Sequence, residues 1–185
     1  MNHRGTVTLE TDRLILRKFN YDDVYDIYNN WANDIDVVKY VTWDIHNTIE
    51  DTKIVLNKWV SSYSRDNYYR WAIVLKKNNS VIGNIAINKE DSKIKMVNFG
   101  YSISKDYWNM GITTEALFRI IKFLFEEVGV NRIEGYHHID NIASSKVMLK
   151  CGLTKEGVIR EGALYNDTFC DIVLYSILRK DYMVM

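Results

Sequence analysis

Eleven consecutive residues, Tyr107-Trp108-Asn109-Met110-Gly111-Ile112-Thr113-Thr114-Glu115-Ala116-Leu117, have the composition of an anion site. They follow a strand-like run from Val97 to Ile103 and open an apolar-periodic helix. Their backbone N–H groups are therefore expected at a helix N-terminus, where the macrodipole also favours negative charge. Gly111 permits close backbone approach by a large ligand, Thr113 or Thr114 can cap the helix, and Glu115 suits the first turn. Neither G-x-G-x-x-G nor G-x-x-x-x-G-K-[ST] occurs, so dinucleotide and P-loop explanations have no support. The cradle implies some other phosphorylated ligand.

Few other residues offer chemistry by type alone. Cys151 is expected at the end of a helix, just before Gly152, where the negative end of the dipole disfavours a thiolate nucleophile. His137 and His138 are adjacent and point to opposite faces of a strand, so they cannot chelate one metal, and no Cys/His spacing resembles a zinc site. No metal is expected. Two cysteines, Cys151 and Cys170, are expected as reduced thiols.

The cradle resembles the coenzyme A pyrophosphate loop of the GNAT N-acetyltransferases, in particular the branch of Rim-type ribosomal-protein N-terminal acetyltransferases. Thr11-Asp12-Arg13-Leu14-Ile15-Leu16-Arg17 is similar to that branch's opening. Asn131-Arg132-Ile133-Glu134, Asn141-Ile142-Ala143-Ser144-Ser145-Lys146-Val147 and Cys151-Gly152-Leu153-Thr154-Lys155-Glu156-Gly157 keep its order and spacing. The resemblance implies acetyl-CoA as cosubstrate, with Trp108, Asn109, Met110, Gly111, Ile112, Thr113 and Thr114 around the pyrophosphate. Backbone groups of Phe99, Tyr101, Ser102 and Ile103 would hold the pantetheine arm and polarise the thioester.

Acetyl transfer from a thioester to an amine needs a neutral amine, donors for the developing oxyanion and a proton for the leaving thiolate. Many family members carry a glutamate base where this chain has Asn98, which can hold a water but not act as a base. The tyrosine acid of the wider family maps onto Met148. The Rim-type branch implies Ser144 instead, within Asn-x-x-Ser, with Asn141 bonded to the pantetheine or a water. Asn141 also fits a helix N-cap. Glu156, Glu161, His46, His137 and His138 are the remaining groups of useful type. Trp108 and Asn109 depart from the basic and glycine positions of the loop, and Thr113 replaces a small residue. Trp31, Tyr40 and Trp43 are candidates for the acceptor pocket and equally for core packing.

The chain has 185 residues, 47% hydrophobic and 26% charged, with 24 basic and 24 acidic side chains. A length near this allows about 70% of the unfolded surface to be buried in one domain, residues 1–185. Balanced charge gives no global field for nucleic acid or an anionic membrane. No apolar run approaches the roughly 18 residues needed to span a bilayer, and a cytoplasmic location is expected. A monomer or homodimer is expected.

The elements that must position these residues read as follows. Leu14 to Phe19 suggests a strand, and Asn20 an N-cap before Val24, Ile27, Tyr28 and Trp31 at helical spacing. Thr48 with Asp51 opens a second helix. Strands Tyr69 to Leu75, Val81 to Asn88 and Lys95 to Ile103 are joined by short turns and so run antiparallel. The cradle helix ends at Gly129. Strand Arg132 to His137, helix Asn141 to Lys150 and strands near Leu153 to Arg160 and Phe169 to Leu178 complete the pattern. The fold class is α+β: a mixed, mostly antiparallel twisted sheet of about seven strands with about four helices. The function expected is acetyl transfer to a primary amine, foremost a protein or peptide N-terminus. A small amine (polyamine or antibiotic) and a non-catalytic coenzyme A sensor are the alternatives.

Overall fold

A computed structural model describes residues 1–165 and 167–184. Eight strands form one sheet: β1 (Leu9–Glu10), β2 (Leu14–Arg17), β3 (Arg70–Leu75), β4 (Val81–Asp91), β5 (Met96–Ile103), β6 (Arg132–His138), β7 (Thr154–Tyr165) and β8 (Thr168–Leu178). Their order is β1-β2-β3-β4-β5-β6-β8-β7. Every neighbouring pair is antiparallel except β5 and β6. The helices are α1 (Val24–Ile27), α2 (Ile35–Val38), α3 (Ile49–Ser62), α4 (Ile112–Phe123), α5 (Ile142–Lys150) and α6 (Arg179–Tyr182). The α+β mixed sheet expected from sequence is present. The extra strand is the two-residue β1, and the extra helices α2 and α6 are four residues each, too short to give a periodic signal.

Alternation along the strands divides the core into two layers. Trp71, Ile73, Val97 and Phe99 pack with Ile112, Ala116, Leu117, Ile120 and Ile121 of α4 and Met148 of α5. Ala72, Val74 and Val81 face the other way, against Ile27, Trp31, Val37 and Leu56 from the α1–α3 side. Thr48 and Asp51 form a reciprocal capping box on α3, and Asn20 with Asp23 forms another ahead of α1. The helical pattern after Asn20 is composite: a 3-10 turn at Tyr21–Asp23, α1, then a π turn at Tyr28–Ala32. A π turn closes α4 as well, ending at Gly129 with φ +77°. No helix among the described residues is long and apolar enough to cross a membrane.

The feature that positions the site is a parting of the sheet. β5 and β6 pair from Met96↔Arg132 to Phe99↔Gly135 and no further, although both strands continue. Beyond that point Gly100 to Ile103 stay with β4 and Tyr136 to His138 stay with β8. A Cβ on Gly135 would lie 2.6 Å from the Phe99 ring, so that ring covers Gly135 at the parting point. The two halves diverge into a gap whose outer end is the start of α4.

Candidate active site

The cradle begins where β5 ends. A 3-10 turn at Lys105–Tyr107 leads to Asn109 (φ +61°) and Gly111 (φ +73°), two left-handed residues that swing the chain into α4. Gly111 is the N-cap and supplies no side-chain bond. The expectation that Thr113 or Thr114 caps the helix is therefore corrected: both lie inside its first turn, and Thr113 is buried. Glu115 N–H donates to the Gly111 carbonyl at 3.0 Å. The N–H groups of Ile112, Thr113 and Thr114 precede that bond and have no partner within the helix. Trp108 folds back, its indole N–H donating to the Ile103 carbonyl at 3.2 Å.

Arg13 holds this turn in place, a role its sequence position did not announce. Its Nη1 donates to the Met110 carbonyl at 3.0 Å and its Nε to Glu115 at 2.6 Å. The Glu115 carboxylate also accepts from Thr11 Oγ1 at 2.6 Å and Arg13 N–H at 3.0 Å. Burial works against the Glu115 charge, but these donors outweigh it and hold the carboxyl below its ordinary range. Thr11 and Arg13 are the opening motif of the chain, and their partners lie about a hundred residues away. A groove of about 500 Å³ beside the turn is lined by Thr11, Gly111 and Thr114, by the cations Arg119, Lys122 and Lys150, and by the carboxylates Glu10, Asp12 and Glu115.

Within the gap, Tyr101 of β5 reaches α5: its hydroxyl donates to the Ser144 carbonyl at 3.4 Å. Burial pushes the Tyr101 phenol up, so it stays a neutral donor. Asn141 caps α5, accepting from Ser144 N–H at 3.2 Å, and its own N–H donates to the His138 carbonyl at 2.8 Å. Ser144 is half-buried, on the same helix as the fully buried Met148. Cys151 is buried with its thiol against the Thr114 carbonyl and is pushed up to about 12 by burial, which leaves it inert at neutral pH.

Asn98 is 6% exposed and points to the opposite face from Phe99, in register with Lys89 on one side and Glu134 on the other. Glu134 pairs with Arg132 at 3.1 Å, and Arg132 also holds Glu156 at 2.9 Å. The Ser176 hydroxyl and then Arg132 lower the pKa of Glu156. Glu161 sits at a strand irregularity with φ +49°. His46 is buried with Nδ1 2.8 Å from Thr52 Oγ1, and burial lowers its pKa. His138 lies between the rings of Tyr40 and Tyr165, with Nδ1 accepting from Asp140 N–H. Tyr40 thus reaches the end of β6, and Lys105 is ion-paired with Asp36 of α2. Trp43 lies tilted against His46 with ring centroids 5.6 Å apart, whereas Trp31 is 1% exposed inside the second core layer. The placement of Trp31 in an acceptor pocket is corrected accordingly: it has no surface to offer a ligand.

The family model for the acetyltransferase (GNAT) domain matches residues 13–154, from the arginine that braces the cradle to the start of β7. The chain belongs to the GNAT acetyltransferases. A relative from Bacillus subtilis (strain 168), the uncharacterized N-acetyltransferase YoaA, is 31% identical over 171 residues, 92% of this chain and 96% of its own length. The ribosomal-protein-serine acetyltransferase of Escherichia coli (strain K12) is 26% identical over 127 residues, 69% of this chain and 70% of its own. Among solved structures, a GNAT-family acetyltransferase from Bacillus anthracis superimposes with a TM-score of 0.83 at 26% identity, covering 94% of this chain and 99% of that one. This GNAT protein is accordingly an enzyme that uses acetyl-CoA. Its own features fit that cosubstrate: a left-handed turn at Gly111, three helix N–H groups without a partner within the helix, and the parting of β5 from β6. Among the described residues no group of three His, Cys, Asp or Glu is placed to hold a metal.

Proposed function

We propose that the protein transfers acetyl from acetyl-CoA to the α-amine of a protein or peptide N-terminus by direct attack in a ternary complex. Acetyl-CoA supplies the activated acyl group. The N–H groups of Ile112, Thr113 and Thr114, with Gly111 allowing close approach, would hold the pyrophosphate, and Arg13 would keep their turn rigid. Backbone groups of Phe99, Tyr101, Ser102 and Ile103 would align the pantetheine arm along the free edge of β5 and polarise the thioester. Ser144 would give or orient the proton that the leaving sulfur needs, with Asn141 fixing its helix turn. Asn98 would order a water on the acceptor side, near Tyr40 and Trp43. Residues 1–185 would act as one domain, in the cytoplasm, without nucleic acid.

The observation that carries the choice of acceptor is the commitment of the nearby carboxylates. Asp23 is clamped by Arg17 through two bonds of 2.8 Å, Asp26 accepts from Val81 N–H at 2.7 Å, Asp34 caps α2 and Asp36 pairs with Lys105. Glu134 and Glu156 share Arg132. Asp23 and Asp36 are thereby neutralised, Asp26 and Asp34 are occupied with backbone N–H groups, and Glu134, in register with Asn98, is ion-paired and so a poor base. An α-amine of pKa about 8 needs no strong base, being about a tenth neutral at pH 7. The name of the Escherichia coli relative supports the same acceptor class. Initial rates with acetyl-CoA and a lysine-free peptide, its N-blocked lysine counterpart or spermidine test the proposal. The free-N-terminal peptide is expected to be fastest; spermidine or the blocked peptide reacting faster overturns it.

A further inference from the structure

His137 is 4% exposed and takes no part in the chemistry above. It lies two residues beyond Gly135 on β6, as Tyr101 lies two beyond Phe99 on β5, so the two side chains mark opposite lips of the gap just past the last β5–β6 pair. Both belong to the α5 side. Tyr101 bonds the Ser144 carbonyl, and the His137 ring lies 5.5 Å from that of Tyr175, whose hydroxyl is 2.9 Å from Ser145 Oγ.

The tautomer of His137 is fixed by its neighbour. Nδ1 is 2.7 Å from the His138 carbonyl oxygen, which can only accept, so Nδ1 carries the proton. That carbonyl also accepts the N–H of Asn141. Nε2 is left as a bare lone pair. It is buried and, alone among the buried side-chain nitrogens and oxygens of the described residues, has no hydrogen-bond partner. Burial lowers the pKa of the ring, keeping it a neutral acceptor. An orphaned buried acceptor is destabilising by itself and calls for a functional explanation.

We propose that Nε2 of His137 accepts a hydrogen bond from an amide N–H of the pantetheine arm lying in the β5–β6 gap, making His137 a residue that sets how deep the thioester sits. This rests on the reading that the gap receives that arm. Two features of the chemistry favour it. The arm carries amide N–H donors, and the lip opposite His137 is formed by Gly100 to Ile103, which pair with β4 and not with β6.

Calorimetric titration separates the possibilities. Coenzyme A and adenosine 3′,5′-bisphosphate, which lacks the arm, are titrated into wild type, His137→Phe and His137→Gln. Phenylalanine keeps a ring against Tyr175 but has no acceptor; glutamine can place an oxygen near the position of Nε2. Loss of one neutral hydrogen bond predicts about tenfold weaker coenzyme A binding for His137→Phe. Unchanged bisphosphate binding, recovery in His137→Gln and a ligand-free melting temperature no lower than wild type are expected with it. Equal coenzyme A affinity in folded His137→Phe, or an equal loss for the bisphosphate, overturns the assignment. Failure of wild type to bind coenzyme A overturns the functional reading beneath it. In wild type, the ¹⁵N shift of His137 Nε2 is expected to move on adding coenzyme A and not the bisphosphate; no movement with coenzyme A overturns the proposal even if neither variant folds.

Discussion

Replacing Gly111 by aspartate, with asparagine as the uncharged control, tests the cradle through one position. Its φ of +73° is left-handed, a region that Asn and Asp tolerate better than other non-glycine residues, at about 1 kcal/mol of stability. A Cβ there would meet nothing closer than Arg13 Nη2 at 3.7 Å, so both variants are expected to fold. The two side chains have the same shape and differ by one charge. At about 4 Å from a phosphate, that charge costs about 4 kcal/mol at an effective dielectric of 20 and about 1 kcal/mol in bulk water. Gly111 is exposed and Arg13 can partly neutralise the new carboxylate, so the Asp–Asn difference should be about 1–3 kcal/mol, or roughly 5- to 150-fold in Kd. Titration calorimetry with coenzyme A measures it, and raising the salt should narrow it. Equal affinity for coenzyme A in folded Asp and Asn variants would refute the placement of phosphates at this turn.

Ser144→Ala should lower kcat by about 10²–10⁴-fold with coenzyme A affinity nearly unchanged, read by single-turnover quench and calorimetry; an unchanged chemical rate removes the serine from the reaction. Because the folded state holds Glu115 below its ordinary pKa of 4.5, its contribution to stability is present above that value and lost as pH falls through the folded pKa. Melting temperatures from about pH 6 downward should therefore drop more steeply for wild type than for Glu115→Gln below about pH 5. Parallel curves would show that Arg13 and Thr11 do not stabilise the carboxylate.

The elements that sequence reading recovered were those whose signals are local. Asn20, Thr48 and Asn141 announce helix starts because a cap and its N–H partners lie within three residues. The strand, left-handed turn and helix around Gly111 are contiguous, so their order alone describes the cradle. What escaped depends on distant partners. Arg13 finds Met110 and Glu115 only after β1 and β2 dock beside α4, and nothing in Thr11-Asp12-Arg13 names those partners. The parting of β5 from β6 begins at the Phe99–Gly135 pair, a contact between strands separated by a helix. Trp31 illustrates a true ambiguity: an aromatic residue at helical spacing reads the same whether it lines a pocket or fills a core. His137 was visible as a residue of useful type, but its missing partner is a property of the packed fold.

The choice of acceptor is tested most directly by one peptide carrying both a free N-terminus and an internal lysine. Reference pKa values of about 8 and about 10.4 make the neutral α-amine roughly 250-fold more abundant than neutral lysine at equal concentration near pH 7. A site without a strong base should preserve most of that ratio. Incubation with acetyl-CoA at early conversion, followed by fragment-ion mass spectrometry, locates the acetyl group. Acetylation confined to the N-terminus, with lysine modified at least tenfold more slowly, is the predicted result; equal modification of the two amines, or preference for lysine, would contradict it.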